Sequence, residues 1–241
     1  DGRVVFAFPY EKQFTLIGTT DTPHTDPTVK AEPDLQEIQY LCDVVNGYFE
    51  KQTTPQDVIW SFSGVRPLVG TSDGESPSKL SRDYTLEHHK SLALLNVWGG
   101  KLTSHRRLAQ EAVDTLCAHL NIKKSCQTAV KPLPGGDIPK GGLPALIRKL
   151  QGMHPWLSTP TANRLVHAYG TQAEKIFAGH DTRKTLGQHF GADLYQLEVD
   201  YLVQHEWAQT AEDILWRRTK LGLHTSLADQ TALRGYLARL S

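Results

Sequence analysis

Leu94-Leu95-Asn96-Val97-Trp98-Gly99-Gly100-Lys101-Leu102-Thr103-Ser104-His105-Arg106-Arg107 runs from a hydrophobic segment through a glycine pair, a lone lysine and two hydroxyl residues into a basic helix start. The order reads as strand, turn, helix, and it predicts an α+β region around this point. The glycines carry no Cβ, so the backbone there can approach a ligand closely. A helix beginning just beyond them offers free N–H groups and partial positive charge. The turn therefore suits something flat or anionic. The Gly-x-x-x-x-Gly-Lys frame is absent, which argues against a loop for a nucleotide triphosphate.

Upstream of this run, the apolar segments 3–8 and 13–20 flank Pro9-Tyr10-Glu11-Lys12 and predict a β-hairpin. Residues 34–50 place Leu35, Ile38, Leu41, Cys42, Val45, Tyr48 and Phe49 at helical spacing behind Pro33. Residues 58–68 alternate Trp60 and Phe62 with Ser61 and Ser63, which predicts a strand. A Gly/Ser/Asp/Pro loop fills 70–79, and 83–88 with 92–98 read as paired strands. Residues 104–120 repeat an apolar residue every fourth position from Leu108 to Leu120 and predict a helix.

The pattern then changes. Lys131-Pro132-Leu133-Pro134-Gly135-Gly136 through Gly141-Gly142 is a Pro/Gly-rich connector. Beyond it the strand signals stop. Thr171-x-x-Glu174 and Thr210-x-x-Asp213 read as helix-start capping boxes, Gly170 suits a position just past a helix end, and Ser226 caps a last helix. The expected organisation is α+β over 1–129 and all-helical over 130–241.

The 241 residues carry 26 Lys+Arg against 26 Asp+Glu. This balance gives no electrostatic push toward nucleic acid or an anionic membrane surface. No apolar run reaches the roughly 18 residues of a membrane helix, and the first residues show no signal-peptide pattern. Three widely spaced cysteines, Cys42, Cys117 and Cys126, fit reduced thiols in the cytoplasm better than a disulfide framework or a zinc knuckle. The 11 histidines show no metal-ligand spacing, so no metal site is expected. Met153 is the only methionine, and a strand follows Asp1-Gly2 at once, so the chain reads as a piece of a longer protein.

The chemistry-bearing residues lie mainly in the first half. In Ser63-Gly64-Val65-Arg66-Pro67 the proline holds Arg66 in extended backbone, fixing where its side chain leaves. Arg82 in Arg82-Asp83-Tyr84 ends the mobile-looking loop. Taken singly, each arginine reads as a surface ion pair. Taken together they resemble a phosphate clamp, since a guanidinium forks onto phosphate with two parallel hydrogen bonds. Gly18-Thr19-Thr20-Asp21 reads as an Asx or Ser/Thr turn, or as the lining of a site. The aromatic-basic run Trp216-Arg217-Arg218-Thr219-Lys220 raises nucleic-acid or phospholipid contact, but with Glu206, Glu212 and Asp213 nearby a helix with a buried tryptophan and solvated or ion-paired charges is favoured.

Seven segments, in order, are similar to one family: DGRVVFAFP, IGTTD, SGVRPL, SRDYTL, GGKLTSHRRLA, LPGG and HEWAQTAEDILWRRTKLGL. The chain resembles the C-terminal part of the FAD-dependent, quinone-linked sn-glycerol-3-phosphate dehydrogenases. The resemblance implies the second half of a flavin- and substrate-binding domain with a mixed or antiparallel sheet, followed by an all-α cap. It implies Arg66 and Arg82 as ligands of the substrate phosphate. It implies that Gly99, Gly100, Lys101, Leu102 and Thr103 run past the flavin ring, with Lys101 and Thr103 in catalytic roles. It further implies oxidation of glycerol 3-phosphate to dihydroxyacetone phosphate, membrane quinone as acceptor and peripheral attachment to the inner face of the membrane; a homodimer is a further expectation, since a half-domain can lean on another copy. The Gly-x-Gly-x-x-Gly fingerprint of such proteins is missing, so these residues alone are expected to be inactive. Two other readings remain: a glycerol-3-phosphate oxidase using oxygen, and a helical interaction or membrane-docking module.

Overall fold

The computed structural model describes residues 3–26, 28–66 and 83–240. The chain divides into two compact units, Asp1–Thr128 and Ala129–Ser241. The fold class is α+β, with helices and small antiparallel sheets.

In the first unit β1 (Phe6–Tyr10) pairs antiparallel with β2 (Phe14–Gly18), Phe6 opposite Gly18 and Tyr10 opposite Phe14. Glu11 and Lys12 turn the chain at positive φ, and Pro9 sits inside the strand rather than in the turn. Helix α1 spans Leu35–Asn46. Asp34 starts it with a reciprocal capping box: its carboxylate accepts the Glu37 N–H at 2.7 Å, and Glu37 Oε2 accepts the Asp34 N–H at 3.2 Å. Strands β3 (Thr85–His89) and β4 (Leu94–Trp98) form a second antiparallel pair, Thr85 opposite Trp98 and Glu87 opposite Asn96. Helix α2 spans His105–His119 and is separated from β4 by a 3₁₀ turn, Leu102–Ser104.

One expectation narrows here and one changes. The described sheets are both two-stranded and antiparallel, with no parallel pairing among the described residues. Residues 58–66 form no strand; Trp60 and Phe62 instead stack on each other, with centroids 4.8 Å apart. Their alternation marks extended backbone, but a strand also needs a partner for its N–H and C=O groups. Residues 67 and 68 of that expected strand, the loop 70–79 and Arg82 lie outside the described residues.

The second unit is helical. Helices α3 (Gly142–Met153), α4 (Thr159–Tyr169), α5 (Gln172–Ile176), α6 (Gln196–Glu206) and α7 (Leu227–Leu237) surround one core. Leu146, Leu150, Leu165, Leu202, Ile214 and Leu233 are essentially sealed from solvent. Ser226 caps α7 through a reciprocal box with Asp229. Thr171 does not cap α5. Its hydroxyl donates to Asp137, and its N–H donates to the Gly135 carbonyl at 3.1 Å. The Leu133–Gly136 turn is thereby docked on the end of α4, where a Cβ on Gly170 (φ +55°) would collide with the Gly135 carbonyl. No helix among the described residues is long and apolar enough to cross a membrane.

Candidate functional site

At the turn that follows β4, Gly99 and Gly100 adopt φ of +70° and +110°. A Cβ on Gly100 would press on Leu108 Cδ1 at 3.2 Å and Tyr84 Cβ at 3.4 Å, so the turn packs its backbone against α2 and the start of the β3 segment. The expected bank of free amides is smaller than a bare helix start provides. The Lys101 N–H donates to Ser104 Oγ at 3.2 Å, and Ser104 returns its hydroxyl to the Lys101 carbonyl at 3.0 Å. Among the described residues the N–H groups of Leu102 and Thr103 keep no protein acceptor. Leu102 is 88% exposed, and Trp98 at the end of β4 is half-exposed.

Lys101 is held by the neighbouring motif: Nζ lies 3.2 Å from Asp83 Oδ1. The next residue, Tyr84, donates its hydroxyl to Glu111 Oε2 at 2.7 Å, while Arg107 reaches Glu111 Oε1 at 3.2 Å. Hydrogen bonding to the Glu111 carboxylate pushes the Tyr84 phenol up, so it stays a neutral donor. On the hairpin, Glu87 accepts from Trp98 Nε1 at 3.0 Å, Asn96 Nδ2 at 3.4 Å and His89 Nε2 at 3.1 Å. These contacts, the indole first, hold the Glu87 carboxyl below its ordinary value.

Arg66 is paired with Asp21 of the Gly18–Asp21 segment, 45 residues away. Its Nη1 donates to both carboxylate oxygens, at 3.1 and 2.9 Å. The structure thus brings together Arg66 with Asp21, and Lys101 with Asp83. Among the described residues no hydrogen bond or ion pair links Arg66 to Lys101 or Thr103. The sequence showed both segments of each pair but not their pairing, because Asp21 and Asp83 read as local turn and strand-edge residues.

The helical unit holds a buried charge network that periodicity passed over. Arg164 on α4 forks onto Glu198 of α6, Nη1 to Oε1 at 2.7 Å and Nη2 to Oε2 at 2.8 Å. Its Nε lies 2.9 Å from Asp193 Oδ1, and the Tyr169 hydroxyl donates to Glu198 Oε1 at 2.6 Å. Burial alone would lower the Arg164 pKa, but Glu198 and Asp193 outweigh it and hold the guanidinium firmly charged. Burial, then the Glu198 charge, drives the Tyr169 phenol well up. The helical pattern of Leu165, Val166 and Tyr169 was visible around it; a charged side chain turned inward gives no periodic signal.

Trp216–Lys220 is consumed internally. It lies in and after a π-helical segment, Asp213–Arg218, whose wide turn returns the Thr219 N–H to the Ile214 carbonyl at 3.0 Å. Arg217 pairs with Asp213 at 2.8 Å, Arg218 donates to the Glu206 carbonyl at 2.9 Å, and Lys220 donates to the Arg217 carbonyl at 3.0 Å. The indole of Trp216 packs so closely on Gly222 that any Cβ there would overlap it.

A family described as FAD dependent oxidoreductase matches residues 1–106, and the C-terminal domain of alpha-glycerophosphate oxidase matches residues 126–240. The glycerol-3-phosphate dehydrogenase of Pseudomonas aeruginosa is 42% identical over 240 residues, covering 98% of this chain and 46% of that protein. The aerobic glycerol-3-phosphate dehydrogenase of Escherichia coli is 36% identical over 240 residues, covering 98% of this chain and 48% of its own length. The D-erythritol 1-phosphate dehydrogenase of Brucella abortus is 40% identical over 234 residues, covering 96% and 46%. The chain spans about half the length of these curated relatives.

Proposed function

We propose, because this chain belongs to the FAD-dependent oxidoreductases of the glycerol-3-phosphate dehydrogenase family, that it is the C-terminal part of an enzyme oxidising sn-glycerol 3-phosphate to dihydroxyacetone phosphate. On this reading residues 1–129 complete a flavin- and substrate-binding domain and residues 130–241 form its helical cap. Arg66 and Arg82 take the substrate phosphate; Lys101 and Thr103 stand at the flavin edge. FAD, when bound, supplies the acceptor for the C2 hydride, and electrons leave to membrane quinone from a peripherally attached enzyme.

One observation carries the reading. The Gly99–Thr103 turn combines two positive-φ glycines, a half-exposed lysine and the unclaimed amides of Leu102 and Thr103. These residues fit one edge of a flat, electron-rich ring: a cation and N–H donors oppose negative charge. They do not fit the pyrophosphate, for which the chain has no Gly-x-Gly. This chain mixed with FAD should therefore be colourless after desalting.

The test uses the full-length enzyme: bound flavin, and dye reduction that depends on glycerol 3-phosphate. Arg66→Ala should cost about 2–4 kcal/mol in kcat/KM, the size of a lost charge-assisted fork. An unchanged KM would remove Arg66 from the phosphate site. The 40% identity to an erythritol-phosphate enzyme favours one rival within the same chemistry. Comparing kcat/KM for the two phosphates decides between the three- and four-carbon polyol. Peroxide formed in stoichiometric yield would replace quinone by oxygen as acceptor.

A further inference from the structure

We infer that Asp21 is a positioning residue that aims the Arg66 guanidinium at the substrate phosphate, and that Glu37 in turn fixes Asp21. The inference rests on the reading of Arg66 as a phosphate ligand. Its first support is the form of the contact. Asp21 engages Arg66 through Nη1 alone, with both oxygens on that one nitrogen. Among the described residues the Nε and Nη2 groups of Arg66 have no acceptor. A guanidinium is planar and rigid, so holding one corner sets the direction of the opposite edge. The Nε–Nη2 edge is a two-donor fork that matches two phosphate oxygens.

The second support is the way Asp21 is held. It follows the end of β2, in a segment without regular structure, where a side chain ordinarily has freedom. Both flanking threonines are tied to one carboxylate: Thr20 Oγ1 donates to Glu37 Oε1 at 2.5 Å and Thr22 Oγ1 to the same oxygen at 3.4 Å. The other oxygen of Glu37 accepts the Asp34 N–H at the start of α1. One residue thus closes the capping box and clamps the backbone on either side of Asp21. The chain of contacts runs from the α1 terminus through Glu37, Thr20 and Thr22 to Asp21 and ends on Arg66.

An exposed ion pair contributes little to stability, and here both side chains are about 45% exposed. The pair is therefore better explained by what it orients than by what it stabilises. Asp21 also adds negative charge near a site for an anion, so two opposite effects are distinguishable by experiment. Orientation predicts weaker substrate binding without Asp21; competition for Arg66 predicts tighter binding.

The experiment uses the full-length flavoenzyme with sn-glycerol 3-phosphate and, as a phosphate-free probe, glycerol. Asp21→Ala should raise KM for glycerol 3-phosphate roughly tenfold, the scale of one misdirected charge-assisted hydrogen bond. The rise should exceed any fall in kcat, and the loss should be several-fold larger than for glycerol. Asp21→Asn, which keeps one acceptor for Nη1, should lie between Asp21→Ala and the parent. The thermal protection conferred by glycerol 3-phosphate should shrink in the same order. Combined with Arg66→Ala, Asp21→Ala should add no further loss. An unchanged or lowered KM in Asp21→Ala overturns the positioning role while Arg66→Ala still shows the phosphate contact. Equal losses with glycerol 3-phosphate and glycerol reduce Asp21 to a structural residue and overturn it too. If Arg66→Ala itself leaves KM unchanged, the phosphate reading falls and takes the inference with it.

Discussion

Replacing Arg164 by Met would strand the Glu198 carboxylate, 2% exposed, with the Tyr169 hydroxyl as its remaining side-chain donor. An unpaired buried charge is far more costly than the pair it came from is stabilising. Arg164→Met should therefore destabilise the helical unit by about 3–5 kcal/mol, read from the urea midpoint. The double change Arg164→Met with Glu198→Leu should recover much of that loss, because no charge is then left buried. A double variant as weak as the single one would mean that the network carries fold specificity beyond its charges. Gly170 makes a second case at this scale. Its positive φ and its contact with the Gly135 carbonyl leave no room for a Cβ, so Gly170→Ala should cost about 2 kcal/mol or more in the same measurement. Gly152 on α3, with open space at its Cβ, is the control. There Ala should stabilise by about 0.5–1 kcal/mol through helix propensity.

At the scale of elements, the π-helical segment and the caps set the acid response of the helical unit. Burial alone would raise Asp213, but the N–H groups of Gln209 and Thr210, the Thr210 hydroxyl and the Arg217 charge outweigh it and hold the carboxyl down. Arg234 holds Glu212 down, and Ser226 holds Asp229 down. Each binds its proton less readily folded than unfolded, so each contributes stability above the ordinary carboxylate range that is lost as pH falls through its lowered folded value. Glu206 has the opposite sign. Burial raises it, so its ionisation removes stability as pH climbs through the range just above its ordinary value. Thr171 holds Asp137 down in the same way, and four lowered groups against one raised group predict net weakening below about pH 4, seen as a falling urea midpoint. Asp213→Asn should flatten that slope while lowering stability at neutral pH. These same elements show what a sequence can and cannot display. The hairpins, α1, α2 and α7 were legible because alternation, a helical apolar stripe and a serine cap at Ser226 are local signals, whereas the Asp34–Glu37 box emerged only with the structure. The strand expected over 58–68 was not formed in its described part, because alternation specifies an extended segment but not its partner. Thr171 carries a capping sequence whose hydroxyl is taken by Asp137, a contact 34 residues away. At the candidate site the turn and Arg66 were legible from glycine, lysine and proline chemistry. Their partners Asp83 and Asp21 were not, since ion pairs across the chain leave no periodic trace.

Over the whole molecule, apolar burial is divided unequally between the two units. The helical unit seals 22 apolar side chains, from Leu146 to Leu237. Among the described residues of the first unit, only Cys42 and Val45 reach comparable burial, while Val4, Phe6, Trp60, Phe62, Trp98 and Leu102 stay exposed. Apolar surface removed from water is the main term favouring folding, at about 25 cal/mol per Å². A two-stranded hairpin is marginal without further packing. The units should therefore differ in hydrogen exchange. Amides of α3, α4 and α6 should exchange only through large-scale opening, whereas those of the β1–β2 and β3–β4 hairpins should exchange within the dead time of the experiment. The proposed place of the chain as the C-terminal part of a flavoenzyme adds a second half to this prediction. In the full-length protein the same hairpins should become protected by several orders of magnitude, and dye binding to exposed apolar surface should drop, because upstream residues would cover these faces. The α3, α4 and α6 amides should change little. If the hairpins are already slow in the isolated chain, the first unit is stable alone and the proposed dependence on upstream residues is wrong. If they remain fast in the full-length enzyme, these apolar faces are not where the rest of the protein packs.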